Sequence, residues 1–566
     1  MQDTAEVQSS LESTSPQLRR ASRARLYWVL AGLLFLIGLL AAWQLPVFDT
    51  GLESDQAVLA NSHRLSDGRL DYLALLNRQL SEGVTPENNA VTLLSELISD
   101  DEYLTAGFDK DEFFAALGRP APDATRRTFI TSDQLQIQRG IEVGSEASNQ
   151  LYDQFKIVET TPWLSSDFPF WADWLQVNAE VSERLHQASQ RQKYFQPLTA
   201  VKPDVANQNL PPVLSVTMPI CYSLRDQSQF LAVRAMYHIG NRDADAAIRD
   251  LQTLRRLARL QAQSLSLNEA LTAVKIDQLA NLGEAELLNS QLLDGPRVLE
   301  YLKFLQDHPL HLDMGTRIGV FEKYMYLDAV QFVRLYGSEK IARSGSSQSG
   351  GSRPLVSSFI DWSVTLEYAS FYTEVQQLYP QIKNGFRKQP FPGLSNPLWR
   401  VESLESDSAT LLSESRWLWG AKHRGRLMGR LVFGLLIPTV NLLAEADIRC
   451  QTQRELTQLA FAITAYRFQE GRLPRSLEDL APEWITEVPP DRFAVGALVY
   501  RPSETGFRVY SIGINGVDDG GESFILGTLS NPQADDWAVE MKWQQNETSP
   551  GVQGEVQRAS DELKEH

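Results

Sequence analysis

An uninterrupted apolar run near the amino end is the feature that most constrains how this chain can fold. Residues 26 to 43 read LYWVLAGLLFLIGLLAAW and contain no charged side chain. As a helix, a run of this length can cross a hydrocarbon core of ~30 Å. We therefore expect a transmembrane signal anchor over residues 26–46, through which the chain contacts the lipid bilayer.

The charges beside this run set its expected orientation. Basic residues stand directly before it, namely Arg19, Arg20, Arg23 and Arg25, and no Lys or Arg follows until Arg64. Because basic flanks stay on the cytoplasmic side, we expect a single-pass protein whose residues 1–25 form a disordered cytoplasmic tail. The alternative is a cleaved signal peptide, whose apolar core is usually about 7–15 residues long and precedes an A-x-A site.

Composition excludes several classes of protein. The chain has 566 residues and a formal net charge of −18, so it lacks the basic surface that binds phosphate backbones, and we expect no nucleic-acid partner. Only two cysteines are present, Cys221 and Cys450, which excludes a disulfide scaffold and a multi-cysteine zinc site. We expect two separate buried thiols, and a pairing of the two remains the alternative.

Residues 54–426 are predicted to form an irregular helical domain outside the cytoplasm, because their apolar residues recur at helical spacing. The clearest signal lies in residues 228–264, which predict a helical hairpin with its turn at Gly240 and Asn241. Residues 160–175, TTPWLSSDFPFWADWL, are dense in aromatic rings. We interpret these rings as core packing, with a binding groove as the alternative.

Residues 427–545 predict a smaller α+β module, followed by a disordered tail over 546–566. Helical spacing over 446–470 ends at Gly471, and strand patterns follow over 498–501 and 507–512. Large apolar residues occupy every second position in the segment that begins at Trp537, which predicts a last strand. The fold class is thus mainly α, with one helix packed on a small antiparallel sheet at the carboxyl end. The apolar run from Leu431 to Leu443 contains Pro438 and Asn441 and is too short for a second span.

Within this module, the C-terminal ~100 residues resemble the soluble domain of the type II secretion major pseudopilin and of type IV pilin-like proteins. The resemblance rests on A-Y-R-x-x-x-G-x-x-P (Ala465 to Pro474), on P-x-D-x-F (Pro489 to Phe493) and on Y-S-x-G-x-N-G (Tyr510 to Gly516). It implies an envelope protein of the bacterial inner membrane, with the bulk of the chain periplasmic or extracellular. No G-F-T-L-I-E processing site stands at the amino end, so the resemblance predicts a fold rather than a filament.

The loop GINGVDDGGE is the one segment whose side chains predict a ligand. Its oxygen donors and two nearby aspartates are Asn515, Asp518, Asp519, Glu522, Asp535 and Asp536. Calcium takes six to eight oxygen ligands, including backbone carbonyls, and such a loop can supply them. The resemblance also implies calcium, because the family's major pseudopilins bind it in the equivalent loop. The alternative is a solvated hairpin loop.

No motif predicts catalysis. His308 and His311 are the closest pair of histidines, but Pro309 between them opposes a regular helix that presents both to a metal. Nucleophile-elbow and phosphate-loop frames are missing from the sequence. We therefore expect a non-enzymatic structural or adaptor protein, an accessory of a secretion or pilus-like system. The alternative is a membrane-anchored envelope hydrolase with its site in 54–426.

Overall fold

A computed structural model describes residues 64–105, 109–123, 128–200, 211–336, 421–494, 496–513, 515–522 and 535–543. The predicted anchor over 26–46 and the two predicted tails lie outside these residues. Within the described part of the chain, no helix combines the length and apolar character that a bilayer span requires.

The described chain is mainly helical, with a small antiparallel sheet near its carboxyl end, as the sequence predicted. The helices are α1 Tyr72–Leu80, α2 Val91–Leu94, α3 Asp100–Thr105, α4 Lys110–Ala116, α5 Ser132–Gln138, α6 Glu146–Thr160, α7 Pro169–Val177, α8 Ala179–Ser189, α9 Pro219–Gly240, α10 Ala244–Gln261, α11 Leu267–Asn289, α12 Gly295–Asp307, α13 Met314–Arg317, α14 Lys323–Tyr336 and α15 Ala421–Glu470. Short non-α turns cover Ser95–Leu97, Ile318–Glu322 and Leu477–Leu480.

The centre of the helical body is formed by α9, α10 and α11, which pack on one another. Helices α9 and α10 are the hairpin that the sequence predicted over 228–264. Asn241 caps α9, but the turn residue with positive φ is Arg242 at 60° rather than a glycine. The side chain of Asp243 accepts a hydrogen bond from the amide of Ala246 and starts α10.

The aromatic rings of the segment 160–175 pack in the core, as the sequence interpretation predicted, with Trp163, Phe168, Trp171 and Trp174 buried. Trp163 and Trp171 are each 1% exposed, and Trp171 meets Trp174 edge to face with their ring centroids 5.5 Å apart. The indole nitrogen of Trp163 donates to the carbonyl of Val233 at 3.1 Å. These rings therefore fasten the α6–α7 connection to α9.

The two cysteines are separate, free and buried, as expected. Cys221 lies in the first turn of α9, where its sulfur is 3.1 Å from the hydroxyl oxygen of Thr272. Cys450 lies on α15 and donates to the carboxylate of Asp277. Burial raises the pKa of both thiols, that of Cys221 to about 12, so neither is a reactive thiolate near neutral pH.

The described strands form two antiparallel sheets. The first is a short pair in the helical body, β1 Thr199–Ala200 and β2 Val216–Thr217. The second lies near the carboxyl end and contains β3 Val499–Ser503, β4 Gly506–Ser511 and β5 Trp537–Lys542, in the order β3-β4-β5. Ser503 pairs with Gly506, so β3 and β4 form the predicted hairpin. Leu456, Ile463 and other apolar positions of the predicted stripe on α15 are buried.

Helix α15 contacts β4 and β5, and it also packs on α11 and α12 of the helical body. One apolar cluster therefore runs from Ala90 to Met541 through both regions. The boundary between 54–426 and 427–545 stays a prediction, but described residues on its two sides share this core. The helix is also longer than the sequence predicted, since it begins at Ala421 rather than near 446.

A buried ionic network joins α15 to the body. Arg255 on α10 donates to Asp277 at 2.7 Å and to Glu284 at 2.9 Å, both on α11, and Arg454 on α15 pairs with the same Asp277. Tyr301 on α12 donates to Glu284 at 2.9 Å. Two guanidinium groups thus balance two carboxylates in a region closed to solvent. Burial alone would raise the pKa of Asp277, but the charges of Arg255 and Arg454 hold it below its usual value.

Candidate metal centre

The predicted calcium ligands lie where two antiparallel strands meet. Ser511 at the end of β4 pairs with Trp537 at the start of β5. Because the strands are antiparallel, residues that follow β4 lie beside residues that precede β5. This register brings the loop 515–522 next to Asp535 and Asp536, which are separated from it by more than ten positions in sequence.

Three of the predicted ligands converge. Asp519, Asp535 and Asp536 each offer a carboxylate oxygen, and these oxygens all lie within 4.8 Å of one another. Asp536 is 0% exposed; one of its oxygens accepts a hydrogen bond from the amide of Gly521 at 2.8 Å. Its other oxygen is buried and accepts no hydrogen bond from the described residues. Buried polar atoms normally have a hydrogen-bond partner, so a buried carboxylate oxygen without one favours the binding of a cation.

The other oxygen donors named from the sequence have different contacts. Asp518 accepts hydrogen bonds from Arg501 and from the hydroxyl of Tyr510, both at 2.8 Å, so it fastens the loop to β3 and β4. The side-chain carbonyl of Asn515 accepts from the amide of Val517 at 2.6 Å, while its amide group donates to Asp519 at 3.2 Å. Glu522, which belongs to the same loop, is exposed.

Burial and like charge shape the electrostatics of this cluster. Burial raises the pKa of Asp536, and the nearby carboxylates of Asp519 and Asp518 raise it further, against the lowering effect of the Gly521 amide. By contrast, the hydrogen bond from Tyr510 lowers the pKa of Asp518, and Arg501 adds to this effect. Asp536 therefore keeps a buried oxygen without a hydrogen-bond donor among the described residues, beside two further carboxylates, Asp519 and Asp535.

Gly513 is required for the close approach of the two segments. Its φ is +70°, a conformation that disfavours other residues, and a Cβ placed on it would lie 2.3 Å from the backbone oxygen of Asp535. The glycine thus lets the chain leaving β4 pass directly over the residue that precedes Asp536.

These residues suit a hard divalent cation such as calcium. Calcium accepts carboxylate, carbonyl and water oxygens at 2.3–2.6 Å in flexible geometry, and the cluster offers three carboxylates beside exposed loop backbone. Thiolate and imidazole groups, which favour zinc, are not part of this cluster. Asp519, Asp535 and Asp536 would hold the ion, with backbone carbonyls and water as the remaining ligands.

The histidines of the DHPLHLD segment do not form a second metal cluster among the described residues. The Nδ1 atom of His308 lies 2.8 Å from the carbonyl of Phe304, and its ring stacks on the Phe304 ring. His311 is exposed at the wall of a cavity. Pro309 separates the two rings, as expected from its position.

That cavity is a feature the sequence predictions missed. It lies between residues 309–315 and one face of α15, and its volume is about 540 Å³. The α15 residues on its wall are polar and recur at helical spacing, namely Asp447, Gln451, Arg454, Glu455 and Gln458. This polar stripe beside the apolar one was the available signal in the sequence. We call this site the Asp447 cavity.

Comparison of the chain with family models, with curated proteins and with solved structures finds no match. The pilin-like resemblance therefore rests on the residues quoted above.

Proposed function

We propose that this protein is a membrane-anchored, extracytoplasmic adaptor whose carboxyl-terminal α+β module is ordered by a bound calcium ion. The observation that carries the proposal is the convergence of Asp519, Asp535 and Asp536 around a fully buried carboxylate oxygen. The quoted resemblance to pseudopilins is a second, independent support. The anchor over 26–46 and an envelope or secretion-system partner belong to the same proposal.

Calcium would act here by closing the loop onto the sheet. Without a cation, three carboxylates within 4.8 Å repel one another and favour a separation of the loop from β5. With the cation, Asp519 in the loop and Asp536 beside β5 share one positive centre. The loop also borders a groove of about 830 Å³ between α11, α15 and β5, to which Gly521, Glu522 and Trp537 contribute. Ion binding would therefore set the shape of a surface suited to a partner protein.

Calcium is expected to raise the melting temperature of the purified full-length protein relative to the same protein in a chelator. A ligand that binds only the native state adds about 2.7 kcal/mol at a concentration of 100 times its Kd. Asp536→Asn is expected to abolish most of the calcium-dependent rise, because it removes the buried charge. Differential scanning calorimetry with calcium, magnesium or chelator measures both effects.

Glu522→Gln is the matched control for this experiment, since it removes one negative charge from the same loop at an exposed position. It should retain the calcium-dependent rise. An unchanged melting temperature in chelator, or equal losses in the two variants, would contradict a specific site at the triad.

Deletion of residues 26–46 tests the anchor separately. We expect the full-length chain in the membrane fraction after high-salt and carbonate washes, and the deleted chain in the supernatant, because the apolar run is the proposed span. Fractionation followed by immunoblotting measures the distribution. A full-length chain released by carbonate alone would show that the run does not anchor the protein.

A further inference from the structure

The groove of about 830 Å³ lies beside the last described strand of the sheet, and we call it the β5 groove. Its walls are β5 on one side and the face of α11 over residues 275–289 on the other, with side chains of α15 between them. Gly521 and Glu522 of the acidic loop also line it. The volume lies within the range of about 300–1,000 Å³ that ligand pockets occupy.

The backbone of β5 has one edge toward β4 and the other toward this groove. The N–H of Trp543 donates to the carbonyl of Thr505 on the β4 side at 2.6 Å. The N–H of Lys542 points the other way and donates to Asn289 on α11 at 3.4 Å. Because successive residues of a paired strand direct their backbone groups to alternate edges, the even-numbered residues of β5 direct theirs toward α11.

Two residues of β5 therefore present backbone groups to the groove. Ala538 and Glu540 direct their N–H and C=O groups to the outer edge, and no described strand pairs with them there. Asn289 accepts from the N–H of Lys542, so the open part of the edge ends at that residue. An open strand edge with such a row of donors and acceptors is a template for another strand.

The side chains around this edge differ between the two faces of the sheet. Leu282 on α11 and Leu456 on α15 line the groove with apolar surface. On the polar side, Arg508 and Lys542 both pair with Glu540, at 3.0 and 3.2 Å. Because successive side chains of a strand point to opposite faces, a strand beside β5 would suit alternating apolar and polar residues.

Charge complementarity favours a neutral or acidic segment. The chain has a net charge of −18, but the β5 groove is lined by four basic and three acidic side chains. Glu540 is the acidic one that is paired with two of the basic ones. The other two basic groups are Lys275, which also faces Glu159, and Arg449, which lies 5.3 Å from the ring centroid of Trp537. The groove thus has no acidic excess that would attract a basic segment.

We propose that the β5 groove binds an extended segment of a partner protein, which adds a strand beside β5. The segment would pair its backbone with Ala538 and Glu540 and would alternate apolar residues with neutral or acidic ones. This inference rests on the proposed adaptor function, for which it names the chemistry of the partner. It does not require calcium, because the two paired residues belong to neither the triad nor the acidic loop.

Isothermal titration of the purified full-length protein with acetyl-Thr-Val-Glu-Val-Thr-Val-Glu-Val-amide tests the proposal. The matched probe has lysine in place of both glutamates. We expect the glutamate peptide to bind at least about threefold more tightly, the size of effect that exposed charge pairs produce. Tighter binding of the lysine peptide, or no heat of binding for the glutamate peptide up to about 1 mM, would overturn the proposal.

Ala538→Pro is expected to weaken the glutamate peptide by about tenfold or more, because proline removes the outward N–H and puts its ring at the edge. The β4–β5 pairing should persist, since proline is tolerated where the N–H of a strand faces away from the sheet. Ala538→Ser keeps the N–H and is the matched control, with an expected change of less than about twofold. Equal effects of the two variants would overturn the proposal.

Two N-methylated forms of the glutamate peptide test the pairing on the unmodified protein, so the test holds even where a variant fails to fold. One form is methylated at the valine amides and the other at the remaining amides. Successive amides of an extended peptide point to opposite edges, so only one set can face β5. We expect one form to lose about tenfold or more in affinity and the other to keep it. Equal affinities of the two forms would overturn strand addition.

Sedimentation velocity distinguishes a partner segment from a second copy of this chain. A dimer of the full-length protein that Ala538→Pro dissociates would assign the edge to a second copy and overturn the proposal. The titrations are performed both with calcium and with chelator. Binding that depends on Ala538 in either buffer supports the strand edge whatever calcium does to the melting temperature, so the two proposals fail separately.

Discussion

Replacing Arg255 with methionine is expected to lower the free energy of unfolding by about 3–5 kcal/mol, the cost of leaving a buried charge without its partner. Arg255 is 1% exposed, and its guanidinium satisfies Asp277, Asn281 and Glu284 on α11. Methionine keeps much of the volume but leaves Arg454 as the sole cation of the network for two buried carboxylates. The excess negative charge has no access to water.

Urea denaturation at pH 7, followed by circular dichroism, measures this change as a shift in the midpoint. Arg259→Met is the control, because it makes the same chemical change on the same helix at an exposed position, and it should cost less than about 0.5 kcal/mol. Glu284→Gln added to Arg255→Met should recover more than about 1 kcal/mol by restoring the charge balance. Equal midpoints for the two single variants would contradict a buried network.

The loss in free energy of unfolding caused by Arg255→Met should also become smaller as the pH falls. In the unmodified protein the pKa of Asp277 is held low, so its stabilising contribution is present above the unfolded pKa near 3.9 and is lost only in strong acid. Without Arg255, the burial of Asp277 dominates and raises its pKa. Protonation in mild acid then stabilises the native variant, and the two urea midpoints converge between pH 7 and pH 4.

Gly240→Ala is expected to destabilise the protein by about 2–3 kcal/mol, although alanine favours a helix over glycine by about 1 kcal/mol. A Cβ at position 240 would lie 2.3 Å from the backbone oxygen of Trp163 and 2.7 Å from its backbone nitrogen. Trp163 cannot yield easily, because its ring is buried and its indole donates to Val233. The end of α9 and the Trp163 segment must therefore separate.

Gly283→Ala is the comparison for this variant, since Gly283 also lies within a helix. Its added Cβ would meet Cδ2 of Leu251 at 2.3 Å, which is the end of a side chain that can rotate. We expect Gly240→Ala to be the more damaging of the two in thermal or urea unfolding. The reverse order would show that the backbone contact at Trp163 adapts more readily than a core leucine.

Periodicity in the sequence predicted several of the local elements of this protein. The α9–α10 hairpin, the buried stripe on α15 and the three strands near the carboxyl end all lie where apolar spacing placed them. Such patterns report which face of one element is buried, and this information is local. They did not report that α15 begins at Ala421.

The periodicity of the sequence could not predict the contacts between elements. Arg255 and Arg454 look in sequence like ordinary charged positions on amphipathic helices, yet both are buried against Asp277. A charge is buried only where a partner of opposite sign arrives from another element, and one sequence does not say which elements meet. The polar stripe that contains Asp447 was visible, but the facing segment 309–315 was not.

In the acidic loop, too, the sequence determined some features and only the tertiary structure decided the others. The sequence by itself determined that oxygen donors crowd the loop after β4 and the residues before β5. The tertiary structure decided that Asp519, Asp535 and Asp536 form the cluster while Asp518 turns to Arg501 and Tyr510. The physical reason is that composition fixes which ligands are available, whereas strand register and burial fix which of them share a point in space.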